Sequence, residues 1–378
     1  MSKSVLVLGG DGYCGWPIAL SLSEAGHDVT IIDNLSRRRI DDALGYRPLL
    51  PIASPGERCG IWKSVSDRTI GFHHIDIAQD YDRLRAVLAD LQPSAIVHLA
   101  AQRSAPYSVS SPSARRYTVT NNLGVTHALL VALVDLGLDS HLIHLGSIGV
   151  LGYTTAGLEL PEGKVAATIH GADGRCAEMN ILYPGKPVSI YHMSKAMDQV
   201  LFEQYARDEG VRITDLNQGI VWGSSTMTTE RHPELRTRLD VDSIYGTVVN
   251  RFLVQAATGQ NISVYGTGGQ TRGFIHLRDV IRCVELVLNS EARGSERFRL
   301  INQITETLSI RELAQKVGAL TGAPIEYREN PRQEPEENEF HVAHMTLQDL
   351  GLRPTLFADQ LAQEAETMRR ACTASMAV

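Results

Sequence analysis

Cysteine is scarce and scattered: five residues in 378, at positions 14, 59, 176, 283 and 372. None forms a CxxC pair, so neither a zinc site nor a disulfide framework is supported, and a reducing cytoplasm is the expected setting. Positive charge is also short. Lys and Arg number 36 against 43 Asp and Glu, a formal net charge of −7. A nucleic-acid binder needs a basic surface, and the clusters Arg37-Arg38-Arg39 and Arg115-Arg116 are too short to supply one. No run of about 18 apolar residues occurs, which argues against a membrane-spanning helix. Residues 1–4 leave no room for a charged n-region and an apolar core, so no signal or transit peptide is expected. Internal repeats and low-complexity tracts are lacking too.

What is present is ordinary globular composition, 43% hydrophobic and 21% charged, in a length that suits one large domain or two closely packed ones. The first half alternates strand-like and helical patterns. Strand-like runs are Ser4–Leu8, His27–Ile32, Ile70–Ile75, Ala95–Leu99 and His141–Leu145; helical patterns are Trp16–Ala25, Asp82–Asp90 and Asn121–Leu136. Such alternation predicts an α/β fold with a doubly wound parallel sheet. After residue 215 the alternation weakens. The polar stretches Ser224–Asp242 and 324–345 predict a smaller C-terminal, substrate-facing lobe built partly from loops. The expected division is 1–215 and 216–378, with Arg278–Asn289 a helix that returns to the main sheet. Between Asp33 and His73 lies PIASPGERCGIWKSVSD, a segment rich in Pro, Ser and Gly. It reads as a long functional or mobile loop.

Gly9, Gly12 and Gly15 form GxxGxxG directly after a strand and before a helix, with Tyr13 and Cys14 inside the motif. A dinucleotide pyrophosphate needs such a tight turn, close backbone approach and a helix N-terminus. Asp33 ends the next strand, where a carboxylate accepts from both adenosine ribose hydroxyls and favours NAD over NADP. Asn34 and Arg37 follow it in the candidate cofactor set. The three arginines 37–39 could attract a 2′-phosphate, but a solvated loop face is the preferred reading. Asp76-Ile77 falls beside the adenine, and Leu99, Ala100 and Ala101 let the cofactor pass close to the backbone.

Tyr191 and Lys195 give YxxxK, which places both on one helix face. An ammonium near a phenol lowers its pKa, so Tyr191 can take a proton from a sugar hydroxyl as hydride leaves. Ser147 ends the fifth strand-like run and can bridge substrate oxygen and tyrosine. His192 is a further candidate acid.

Together these residues resemble the extended short-chain dehydrogenase/reductase family of nucleotide-sugar epimerases and dehydratases, over nearly the whole chain. The resemblance implies a Rossmann-type fold, bound NAD, a nucleotide-sugar substrate, no metal, and a homodimer paired through the helix after the fourth strand and the YxxxK helix. It places Asn217, in Asp215-Leu216-Asn217-Gln218-Gly219, at the nucleotide-sugar contact. It places Arg272, and Arg332 in Asn330-Pro331-Arg332, on the substrate diphosphate, where a guanidinium grips in bidentate fashion. Gln102, Arg103, Ser104 and Tyr107 of QRSAPYS, with Arg251 and Tyr265, complete the implied substrate set.

Within that family, GGDGYCGW at 9–16, RLDVD at 238–242, NRFLVQAATG at 250–259 and GGQTRG at 268–273 are most similar to a branch that eliminates across C5–C6 of a 4-ketosugar, adds a nucleophile such as sulfite, and reduces C4 again. The chain departs from it. Ser147 stands for Thr, Val150-Leu151 for Glu-Tyr, and Ala101 for Glu; Ile148 and Gly149 stand where dehydratases place Asp-Glu. Elimination needs a base at C5 and an acid at the C6 hydroxyl. Net 4-epimerisation is therefore the favoured expectation, with elimination and addition, or dehydration, as the alternative. A non-catalytic dinucleotide-binding protein is a remote third, since Ser147, Tyr191 and Lys195 are all kept.

Overall fold

Strand β1 (Ser4–Leu8) shows how the core is built. Val5 and Val7 face one apolar cluster, and Leu6 and Leu8 face another. A strand has a side-chain period of two, so a run apolar at every position is buried on both faces, as parallel sheets require. The computed structural model describes residues 2–153, 157–183, 185–290, 296–330 and 335–376.

After β1 the chain forms α1 (Gly15–Glu24), β2 (Asp28–Asp33), α2 (Ser36–Leu44), α3 (Pro55–Ser66), β3 (Ile70–His74), α4 (Tyr81–Leu91), β4 (Ala95–His98), α5 (Ala105–Ser110), α6 (Pro112–Asp135) and β5 (His141–Leu145). The hairpin β6 (Val165–His170) and β7 (Cys176–Ile181) follows, then α7 (Ile190–Asp208), β8 (Arg212–Gln218), β9 (Ile220–Trp222) and α8 (Val248–Ala257). The remainder is β10 (Ile262–Tyr265), β11 (Thr271–His276), α9 (Leu277–Asn289), β12 (Phe298–Gln303), β13 (Glu306–Ser309), α10 (Ile310–Thr321), β14 (Ile325–Arg328), α11 (Thr346–Asp349) and α12 (Phe357–Met376).

Seven parallel strands form the main sheet in the order β12-β8-β5-β4-β1-β2-β3. The order reverses between β1 and β4, the switch point where doubly wound sheets bind ligands. Trp16, Trp62 and the apolar face of α9 cover one side of the sheet. Leu84, Leu129, Leu133 and Phe202 cover the other. The smaller sheets β13-β11-β9 and β10-β14 are formed by later strands outside the main sheet, and α9 packs back on α1 and β5. So does a strand: β12 pairs with β8, from Phe298↔Ile213 to Gln303↔Gln218.

Two expectations change. The segment read as a long loop holds α3. Ser54 accepts from the Glu57 backbone N–H while Glu57 bonds back to Ser54, a capping box with Pro55 in the first turn, and these contacts offset the poor helix propensity of Gly56 and Gly60. Helix α6 also begins earlier than expected, at Pro112, capped by Ser111. By length and composition α6 could span a bilayer, but half of its most apolar stretch is buried inside the fold.

Candidate functional site

The glycine-rich turn joins β1 to α1. Gly9 has φ +83°, and a Cβ there would lie 2.8 Å from the Leu99 carbonyl group. A Cβ on Gly15 would lie 2.2 Å from the Gly9 oxygen. Both positions exclude any side chain, because the turn, the end of β4 and the helix start touch. Cys14 caps α1 without a side-chain hydrogen bond. The Trp16 N–H donates back to Gly12 O at 3.2 Å and Pro17 has no N–H, so the Gly15 N–H at the helix start is the one left to face an anion. Burial pushes the Cys14 thiol up to about 12; it stays protonated and is no nucleophile.

A cleft, open at its mouth, runs from this turn to α7. Gly9, Gly12, Tyr13, Cys14, Gly15, Asp33, Asn34, Arg37, Ile77, Leu99, Ala100, Ala101, Tyr191 and Lys195 all line it. Asp76 stands behind the wall, accepting from Asn34 Nδ2 at 3.1 Å. Asp33 accepts from the backbone N–H of Asp11 at 2.9 Å and of Leu35 at 2.7 Å. Burial, then the nearby Asp11 charge, pushes the Asp33 carboxyl up to about 6.

The arginine run is not a solvated face. Arg38 donates to both Asp11 oxygens, at 2.7 and 2.9 Å. Arg37 pairs with Asp41 and with Asp240 at 3.2 Å, and its guanidinium lies 3.5 Å from the centre of the Tyr245 ring. Only Arg39 stays at the surface, on the Asn34 carbonyl. The first two guanidiniums are spent on carboxylates, because the charged loop folds back onto the glycine turn instead of into solvent.

Helix α7 starts after Ser189, whose hydroxyl accepts from the His192 N–H. This sets Tyr191 in the first turn, and its hydroxyl is hydrogen-bonded to Ser147. Burial raises the Tyr191 pKa; the Arg103 charge opposes it most, followed by the Ser147 bond. In this structure the Lys195 ammonium turns to His144 Nε2, 2.8 Å away, and the main opposing charge on the phenol is that of Arg103. His192 sits with Nδ1 2.9 Å from Ser189 Oγ. A Cβ at Gly149 would come within 2.4 Å of its Nε2, so the imidazole fills the room that a larger residue at 149 would need.

The expected substrate residues divide. Gln102 Nε2 donates to Ser104 O and Thr118 Oγ1, and Ser104 Oγ caps α5 and donates to Ile244 O. Asn217 bonds Gln199 and Asn302. The polar groups of these three are engaged inside the protein, and Gln102 also lines the cleft. Arg103 lines the cleft and donates to Asp240 at 2.8 Å, while Tyr107 packs on Tyr245. Arg251 lies over Tyr265, and Arg272 lies 4.0 Å over the Tyr153 ring; Tyr153 in turn meets His192, next to Tyr191 at the end of the cleft. Arg332 falls outside the described residues.

Sequence reasoning missed several neighbours. Asp11 in GGDGYCGW and Arg58 in the segment after PIAS were marked by the resemblance, but no role was read for either. Arg238, Asp240 and Tyr245 line the cleft, although RLDVD carried only a likeness. Tyr153, against His192 and beneath Arg272, had only its place after Gly152 as a signal.

A profile of the NAD dependent epimerase/dehydratase family matches residues 5–300. The chloroplastic UDP-sulfoquinovose synthase of Spinacia oleracea is 42% identical over 95% of this chain and 74% of its own length. The UDP-sulfoquinovose synthase of Sulfolobus acidocaldarius is 37% identical over 93% of this chain and 88% of its own. Among solved structures, UDP-glucose 4-epimerase from Thermotoga maritima with UDP-glucose superposes with a TM-score of 0.71, at 20% identity, over 97% of this chain and 99% of that one. UDP-glucose 4-epimerase from Thermus thermophilus with NAD gives 0.67 at 23%, over 97% and 99%.

Proposed function

The chain belongs to the NAD-dependent epimerase/dehydratase family, and from that premise we propose that it makes a sulfonated UDP-sugar by the reaction of a UDP-sulfoquinovose synthase. One observation carries the choice: identity of 42% and 37% with two such synthases extends over nearly the whole chain. The solved 4-epimerases, at 20% and 23%, speak for the fold alone. The initial preference for net 4-epimerisation therefore gives way to its alternative.

The cleft suits the cofactor. Gly9 and Gly15 leave backbone room for a pyrophosphate at the start of α1, and Asp33 offers a carboxylate for the adenosine ribose. Bound NAD supplies the acceptor, and later the donor, of the C4 hydride. Tyr191 takes the proton of the C4 hydroxyl, held by Ser147, with the Arg103 charge opposing the rise that burial causes. At the 4-ketosugar stage His192 gives a proton to the departing C6 hydroxyl. The missing carboxylates at 148, 149 and 150 prompted the opposite expectation, and the imidazole against Gly149 answers it. We assign the C5 proton to Tyr153, a phenol that, like Tyr191, contacts His192; Tyr107 packs on Tyr245. Sulfite then adds at C6, C5 regains a proton, and C4 is reduced.

The test is incubation of NAD-loaded protein with UDP-glucose and sulfite in deuterated water. Consumption of sulfite and deuterium at C5 or C6 support the reading. Formation of UDP-galactose with both positions unlabelled overturns it and restores 4-epimerisation, the reading that the apolar residues 148–150 favour. We further propose a homodimer paired through α6 and α7, which expose Val134, Met197 and Val200; a light-scattering mass of one chain would oppose it. All five cysteines are free, which fits the reducing cytoplasm we propose as its setting.

A further inference from the structure

Behind Lys195 lies a buried polar chain. Lys195 Nζ is 2.8 Å from His144 Nε2, and His144 Nδ1 is 2.7 Å from Asp215 Oδ1. The other Asp215 oxygen accepts from Gln199 Nε2 at 2.8 Å. Asp198 Oδ2 lies 3.5 Å from His144 Nε2 and 3.8 Å from Lys195 Nζ, and among the described residues neither Asp198 oxygen has a closer hydrogen-bond partner. All four ionisable side chains are at most 2% exposed.

Gly146 makes the arrangement possible, since a Cβ there would come within 2.4 Å of Asp215 Oδ1. The bonds fix the tautomer. A carboxylate only accepts, so His144 Nδ1 carries the hydrogen and Nε2 is left as acceptor for the ammonium. An imidazolium would set N–H against N–H at this separation, so Lys195 and His144 together hold one proton on that line. Strand β5 thus presents two groups to α7: Ser147, just past its end, meets Tyr191, and His144 meets Lys195.

We propose that His144, oriented by Asp215, is a positioning residue that holds the Lys195 ammonium in the wall of the cleft and sets its protonation. The groups facing His144 are few. They are Lys195 and Asp198 from α7, Asp215 from β8, and His98 from β4, with ring centres 5.1 Å apart. Phe202 closes the apolar side at 4.9 Å. His98 is kept neutral by burial and bonds Thr126. Burial lowers the Lys195 pKa, and the Asp198 and Asp215 charges raise it. His144 is the neutral acceptor between these opposed influences.

The proposal rests on Tyr191 and Lys195 serving hydride transfer at C4, and is independent of the later chemistry at C5 and C6. Its first test needs no substrate. In protein with 15N-labelled histidine, the His144 signals are those lost in His144→Gln. A ring that carries its hydrogen on Nδ1, with Nε2 as the acceptor, is expected. A ring with its hydrogen on Nε2 overturns the proposal.

The second test loads His144→Leu and His144→Gln with NAD, adds UDP-glucose, and follows NADH absorbance against pH. Leucine should slow the rate about 10–100-fold and move the midpoint of the pH profile. Glutamine, whose amide oxygen can still accept from the ammonium, should restore most of both. A leucine variant that folds and keeps the parent rate and profile overturns the proposal. Should the parent protein form no NADH with UDP-glucose, the functional reading fails and the histidine spectra still decide this one.

Discussion

Asp11 meets Arg58 at 3.0 Å beneath the glycine-rich turn, and so ties the inserted helix α3 to the cofactor cradle. Arg58 is fully buried, 3.9 Å over the Trp16 ring, and also donates to the Arg236 carbonyl. Removing one partner of a buried pair costs about 3–5 kcal/mol, because the other is left uncompensated. Arg38 still covers Asp11, so Arg58→Met should lose stability near the lower bound, about 3 kcal/mol, and should weaken NAD binding. Denaturant unfolding and NAD titration measure both. An unchanged unfolding midpoint would show that Arg38 alone suffices.

The Asp33 carboxyl, pushed up to about 6, makes NAD affinity depend on pH. Ribose hydroxyls donate to the ionised form, so bound NAD lowers this pKa. Affinity is then full above about pH 6 and falls as pH drops through it, by up to tenfold per unit. Calorimetric titration between about pH 5 and 8 should show this slope, and Asp33→Asn should flatten it. A slope that survives in the variant would move the effect to another group.

Tyr191→Phe keeps the ring in its buried place and deletes the hydroxyl bonded to Ser147. NADH formation on adding UDP-glucose should fall by about 10²–10⁴, with NAD binding nearly intact. A loss smaller than about tenfold would remove Tyr191 as the base.

His192→Asn separates the two stages. Tyr191, Ser147 and Lys195 remain, so bound NAD should still be reduced by UDP-glucose. Sulfite consumption should drop on the order of 10²-fold or more as the acid at C6 is lost. NADH and a 4-ketosugar should then accumulate. Equal loss of both signals would mean that His192 serves only to shape the turn at Gly149.

Local motifs were legible in the sequence because short-range backbone geometry decides them. The glycine turn, Asp33 and the YxxxK helix lie where strand and helix periods put them. The α3 helix was signalled as well, by Ser54 with Pro55 and Glu57, but its two glycines and the preceding prolines read as loop. What stayed hidden depends on distant partners. His144 and Asp215 are 71 residues apart and meet only because β5 and β8 are sheet neighbours. Arg38 looked like a surface charge, because nothing near it in the sequence shows that Asp11 would face it. Tyr153 and Arg272, far apart in the sequence, meet in the same way.

The pairing of β12 with β8 also bears on how the chain is made. During synthesis β8 emerges well before the strand that covers its outer edge, a separation of 85 at Asn217 and Asn302. Until then β8 presents open backbone donors and acceptors and the buried side chains Ile213 and Leu216. The nascent cofactor-binding half is therefore an aggregation-exposed intermediate and not a finished domain. A ribosome that stalls after α7 and β8 would release a fragment that cannot close its own sheet.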